Sequence, residues 1–189
     1  MTKNRLEGFS DGVFSIIITI MVLDLKQPET GSWQALLQPE LLHTVLAYGL
    51  SFILVGSFWI SHHQIMGNIN QVDRQLLWHN LRAIFSITFV PFVTQWRSDF
   101  SHSQAAGVVY GLVYLWSLIS LYQLSHAVAT RTTSKQATQM RAYNHTRWHM
   151  ILVAILGTGA SFIVPSASSW SVLIIWVVWT WLAKQKVSH

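Results

Sequence analysis

The sequence has 189 residues, of which 51% are hydrophobic and 10% charged, with a formal net charge of +5. Soluble domains carry about 25% charged residues, so this balance excludes an ordinary water-soluble globule; the basic residues lie mostly between apolar runs, where they fit orientation in a bilayer better than nucleic-acid binding. The lack of cysteine excludes disulfides and thiolate metal sites, and the many Trp suit membrane–water interfaces, where an apolar ring meets a polar edge.

The polar stretch at 1–7 is short, and the apolar run after it carries Asp11 and no small-residue cleavage site. It is therefore expected to be a retained first span rather than a signal peptide. A spanning helix needs about 20 mostly apolar residues. Six segments are read as spans: 9–25, 41–60, 77–95, 105–126, 149–164 and 170–183. The last two are short and are separated by a turn signal at 165–169, which begins with Pro165. The longest polar connection is expected at 130–148. The connections leave no room for a second domain, and no internal repeat divides the chain, so residues 1–189 are read as a single all-α integral membrane unit.

Basic residues set the orientation. With the amino terminus inside, the inner segments hold Lys3, Arg5, Arg74, Arg82, Arg131, Lys135, Arg141, Arg147, Lys184 and Lys186. The outer segments hold Lys26 and Arg97. Cytoplasmic loops carry the excess of Lys and Arg, so both termini are expected in the cytoplasm.

The first span carries the most information. Asp11 stands at its start, where free backbone N–H groups and the helix dipole favour a carboxylate. Ser10 and Asp11 either cap this helix or join a polar network that fixes it against its neighbours. Ile16, Ile20 and Leu23 recur at steps of four and three and so share one face. Ser15, Thr19 and Val22 form the adjacent stripe. By spacing alone such an Ile/Leu stripe reads as a lipid-facing or packed surface before it reads as a pore wall.

Arg5-x-x-x-Phe9-Ser10-Asp11 at the head of the first span resembles the signature of the transmembrane protein 175 family of potassium-permeable cation channels. Phe58-Trp59-x-x-His62 late in the second span, Asn80 early in the third and Pro91-Phe92 at its far end extend the resemblance over most of the chain. It implies a homotetramer in which four first helices surround a central pore. Ile16, Ile20 and Leu23 would then form the constriction and selectivity element, with Thr19 a hydroxyl beside it and Ser15 a small polar position below. It further implies a bracing network of Arg5, Phe9, Ser10, Asp11, Trp59, His62 and Asn80. The expected activity is a modest preference for potassium over sodium across the cell membrane, with no cofactor or bound metal beyond the permeating potassium. No Thr-Val-Gly-Tyr-Gly carbonyl filter is present.

Other chemistries are less well supported. His62-His63, His79, and the His145 and His149 pair offer metal ligands, but no His-Glu-x-x-His motif or acidic partner set completes a site. His43 and His126 make a weak haem pair. No serine-hydrolase or metalloprotease motif suggests an intramembrane enzyme. A secondary transporter of a small cation or proton remains the alternative, although it would ordinarily use a mid-membrane carboxylate, and Asp11 and Asp24 lie at the ends of the span.

Overall fold

The computed structural model describes residues 1–25, 27–132 and 134–185, and they fold entirely as helices and connecting turns. In chain order these are α1 (Lys3–Ile20), α2 (Pro39–Gly67), α3 (Arg74–Thr88), α4 (Val90–Asp99), α5 (Gln104–Ala129), α6 (Ser134–Ala160) and α7 (Ala167–Gln185), with 3-10 turns at Met21–Asp24 and Trp33–Leu37. Four segments are long and apolar enough to cross a membrane: Lys3–Leu23, Pro39–Gly67, Arg74–Asp99 and Gln104–Ala129. The apolar second half of α6 and the shorter apolar helix Ala167–Thr180 complete six membrane elements.

Local chemistry sets the boundaries. Asp73 caps α3 by accepting from the Leu76 amide at 2.7 Å, and Ser103 caps α5 by accepting from the Ala106 amide at 3.3 Å. Pro39 opens α2 at a position where a missing N–H costs nothing. Outside the membrane elements, the Leu76 amide and the Arg131 guanidinium hold the Asp73 carboxyl below the usual carboxylate range. Arg131 donates from Nε to Asp73 Oδ2 at 2.9 Å and from Nη2 to Gln75 Oε1 at 2.7 Å, tying the end of α5 to the start of α3.

Three boundaries differ from the sequence reading. α1 begins at Lys3 with Thr2 before it, because the polar residues ahead of the apolar run continue the helix, so Ser10 and Asp11 lie inside it and do not cap it. The third span is two helices, joined through Phe89. Pro91 has no N–H to offer the Ile87 carbonyl, and its ring crowds that carbonyl, so the ladder breaks there. The segment 130–148 is not a polar connection, because α6 already begins at Ser134. Lys, Gln, Ala, Met and Arg are strong helix formers, so α6 runs as a helix before its apolar half starts. Of the outer basic residues, Lys26 lies outside the described residues, whereas Arg97 is buried within the bundle.

α5 is the central post, packing against α2, α3, α4, α6 and α7. Glycine and serine allow the closest approaches. A Cβ on Gly107 would overlap the Pro165 carbonyl, and one on Gly157 would overlap the Ser171 side chain. Ser168 donates to the Gly107 carbonyl at 2.7 Å, and its amide donates to Ser161 Oγ at 2.9 Å. The α6–α7 turn is thereby pinned onto α5. α1, by contrast, packs at the edge of the subunit, against α2 and α3.

Candidate pore helix and its brace

α1 has two unlike faces. Leu6, Ser10, Phe14, Ile17 and Met21 follow the helical repeat and are buried against the subunit. On the opposite side, Ile16 is 59%, Ile20 54% and Leu23 79% exposed. Ser15 and Thr19 are also exposed. The five residues expected to shape a pore therefore lie together on the face of α1 that the described residues leave exposed, with Ile16 and Ile20 at the edge of a groove towards α3 and α4. The Thr19 hydroxyl donates to the carbonyls of Ser15 at 2.8 Å and Ile16 at 3.1 Å. Its hydrogen is thus engaged by the helix backbone, and its oxygen remains able to accept.

The buried face is held by a directional chain of hydrogen bonds. His62 on α2 donates from Nε2 to Asn80 Oδ1 on α3 at 2.7 Å, in the tautomer that satisfies both groups. Asn80 Nδ2 donates to Ser10 Oγ at 3.0 Å, and Ser10 donates to the Leu6 carbonyl at 2.9 Å. Ser10, His62 and Asn80 are all buried. An unpaired buried polar group costs about 1–3 kcal/mol, so three helices must meet in one register for all three groups to be satisfied. The Phe14 ring lies 5.3 Å from the His62 ring and covers the chain from one side.

Nearer the surface, Trp59 Nε1 donates to Asp11 Oδ1 at 2.9 Å, and Lys3 Nζ donates to the Gly67 carbonyl at 3.0 Å. Trp59 ties α2 to α1 here rather than acting as a free interfacial anchor. Asp11 itself is exposed on one side of this contact. Arg5 and Phe9 stand outside the hydrogen-bonded set: both are exposed, and Arg5 has no hydrogen bond or ion pair with a described residue. His63 is exposed beside the Trp59 ring. Between α1 and the α3–α4 break lies an open groove of about 770 Å³, whose walls include Ile16, Ile20, Thr88, Phe92 and Trp96.

A second polar cluster centres on α6, at a residue that the sequence reading places among the topology signals. Arg147 on α6 is buried and donates to Ser125 Oγ at 2.9 Å, Asn144 Oδ1 at 3.1 Å and Ser61 Oγ at 3.1 Å. Its guanidinium also lies over the Trp179 ring, 5.3 Å from the centroid. As a basic residue near a span it reads as a topology signal. The signal that reveals its place is periodicity: Met140, Asn144, Arg147, Ile151 and Ala154 fall three or four apart on one buried stripe of α6.

The family described as "Endosomal/lysosomal potassium channel TMEM175" matches residues 5–91. A potassium channel of Chryseobacterium sp. (strain P1-3) is 37% identical over 182 residues, covering 95% of this chain and 93% of the relative. The chain belongs to the TMEM175 family. TMEM175 proteins are ion channels, not enzymes. A potassium channel of Chamaesiphon minutus is 34% identical over 135 residues, 67% of this chain and 66% of that one. The crystal structure of a lysosomal potassium-selective TMEM175 homolog from the same organism superposes with a TM-score of 0.78 at 24% identity, over 94% of this chain and 96% of that chain. At that identity the superposition speaks for the fold: the six-element helical arrangement is that of a TMEM175 channel. The Danio rerio relative, named an endosomal/lysosomal proton channel, is 29% identical over 66% of this chain and 26% of its own length.

Proposed function

We propose that this chain is one subunit of a homotetrameric potassium channel in which the open face of α1 lines a central pore. The observation that carries this reading is the division of α1. One face is locked to α2 and α3 by the Ser10–Asn80–His62 chain, while Ile16, Ile20, Leu23, Ser15 and Thr19 occupy the face left exposed within the subunit. Oligomers close with cyclic symmetry, and four such faces turned to one axis make rings of apolar side chains.

A ring of Ile or Leu offers a dehydrating ion no replacement ligand and can gate by dewetting. Potassium holds its water less tightly than sodium, so distorting its shell costs less, and a modest potassium preference follows. The Thr19 hydroxyl oxygen, still able to accept, supplies a ligand to the ion next to the ring. The brace keeps each α1 at a fixed rotation, so that the apolar stripe rather than Asp11 or Ser10 meets the axis at the narrow part. The basic bias of the segments on the amino-terminal side puts both termini in the cytoplasm and the protein in the cell membrane. The potassium channels of Chryseobacterium and Chamaesiphon support the choice of ion.

The test is bi-ionic recording from purified protein in planar bilayers. Unitary currents reversing towards the potassium potential are expected, and Ile20→Asn should raise conductance and move the reversal potential towards zero. Carrier-like saturable flux without unitary events, or an Ile20→Asn channel with unchanged conductance and selectivity, would refute the reading.

A further inference from the structure

At the end of the bundle opposite the amino terminus, α2, α4, α5 and α7 line an open pocket of about 260 Å³. Arg97 lines it and is only 9% exposed. Its Nη1 donates to the Ser101 carbonyl, and its Nε is buried with no acceptor among the described residues. No carboxylate among them forms an ion pair with it. Asp99, two positions along, accepts from Gln95 Nε2 at 3.0 Å instead. A buried guanidinium with an idle donor and no counter-charge is costly, and the planar fork of Arg is shaped for a phosphate or carboxylate oxyanion.

The surroundings narrow the ligand. Leu46, Ala47 and Leu50 form an apolar wall on the α2 side of the pocket, and Thr94, Tyr110 and Ser169 add hydroxyls. Leu46 is highly exposed, so the wall continues onto the apolar outer surface of the subunit. A second cleft of about 570 Å³ shares His43 and Ser98 with the pocket and is bordered by Glu29, Glu40 and Asp99. A wholly anionic headgroup would meet repulsion from that acidic rim. A headgroup bearing both a phosphate and an ammonium would not.

We propose that Arg97 and the acidic cleft beside it form a binding site for one zwitterionic aminophospholipid. The phosphate sits on the Arg97 fork, the ammonium faces the Glu29, Glu40 and Asp99 rim, and an acyl chain runs along Leu46 and Leu50.

The test uses the full-length protein, delipidated in detergent, with lipid binding followed by thermal midpoint and by native mass spectrometry. Probes are phosphatidylethanolamine, phosphatidylglycerol and inorganic phosphate. In the wild type, phosphatidylethanolamine is expected to bind saturably and raise the midpoint more than phosphatidylglycerol does. Arg97→Gln should weaken that binding about tenfold, the loss of one charge-assisted hydrogen-bonded pair. Leu46→Trp, on an exposed position that folding tolerates, should obstruct the acyl path and weaken lipid binding without affecting any binding of inorganic phosphate. It decides the matter if Arg97→Gln does not fold. A phosphate-only response that Arg97→Gln abolishes would overturn the lipid as ligand and leave a soluble oxyanion. Equal or stronger binding of phosphatidylglycerol would overturn the role of the acidic rim. Lipid binding unchanged in both variants would overturn the site.

Discussion

Replacing Asn80 with Leu removes the centre of the brace while keeping a side chain of similar volume. His62 then loses its acceptor, and a buried donor left unpaired costs about 1–3 kcal/mol. Ser10 loses less, because its hydroxyl still donates to the Leu6 carbonyl, and an interhelical bond in a membrane protein averages about 0.6 kcal/mol. Together these give a destabilisation of about 2–3 kcal/mol. His62→Phe should cost less, about 1 kcal/mol, because the Ser10 hydroxyl can turn to Asn80 Oδ1, 3.4 Å away. The double variant leaves no histidine to be orphaned, so it should be milder than the sum of the two single changes by about 1–2 kcal/mol. The assay is reversible unfolding in mixed micelles by titration with a denaturing detergent. Protein concentration is held fixed, because subunit association shifts apparent stability. Additivity within about 0.5 kcal/mol would refute the chain as a coupled unit, as would an Asn80→Leu protein as stable as the wild type.

Further outcomes are expected elsewhere. The sequence has no native cysteine, so Leu23→Cys places thiols at a single position; if four copies face one axis, cadmium should block the current and a reductant-stable chelator should restore it. Arg147→Ala leaves the oxygens of Ser61, Ser125 and Asn144 without their donor and opens a cavity, so its thermal midpoint should fall further than that of Arg147→Met, which removes the charge but keeps the volume. Gly107→Ala drives a methyl into the Pro165 carbonyl and should destabilise by about 1–3 kcal/mol, whereas Gly159→Ala, with open space around it, should be near neutral in the same unfolding assay. The folded-state pKa of Asp73 lies below its ordinary 3.8. Its contribution is therefore present above that value and is lost as pH falls through the lower, folded one. Asp73→Ala should be less stable than wild type at neutral pH, and the gap should close on acidification into that window.

The sequence made the membrane elements legible because bilayer thickness imposes a length and an apolar content that few other contexts demand. One stripe of α1 was legible, since Ile16, Ile20 and Leu23 recur at helical spacing; the packed stripe of Leu6, Ser10, Phe14, Ile17 and Met21 was not singled out. What spacing could not decide was which face is bare, because Ile lines both. The start of α6 was missed for a different reason: a polar helix and a polar loop draw on the same residues, and only the stripe from Met140 to Ala154 separates them. The break in the third span was written in Pro91, but proline is tolerated within membrane helices often enough that its position alone does not announce two helices. Arg97 and Arg147 look alike in composition to the basic residues that set topology. Burial, which distinguishes them, depends on helices far away in sequence.

The run Ile16-Ile17-Ile18 has a consequence for how this chain can change by insertion or deletion. Each residue added to a helix turns everything beyond it by about 100°. A single insertion just before the run brings Ile16 to the packed position of Ile17, so the contact with the subunit keeps an isoleucine. On the bare face the same slip moves Thr19 into the place of Ile20 and Val22 into that of Leu23. A single deletion there instead carries Asp24 into the place of Leu23. The packing thus tolerates a change of phase that the exposed surface does not, and if that surface lines the pore as proposed, indels in this segment would be felt in conduction before they were felt in folding.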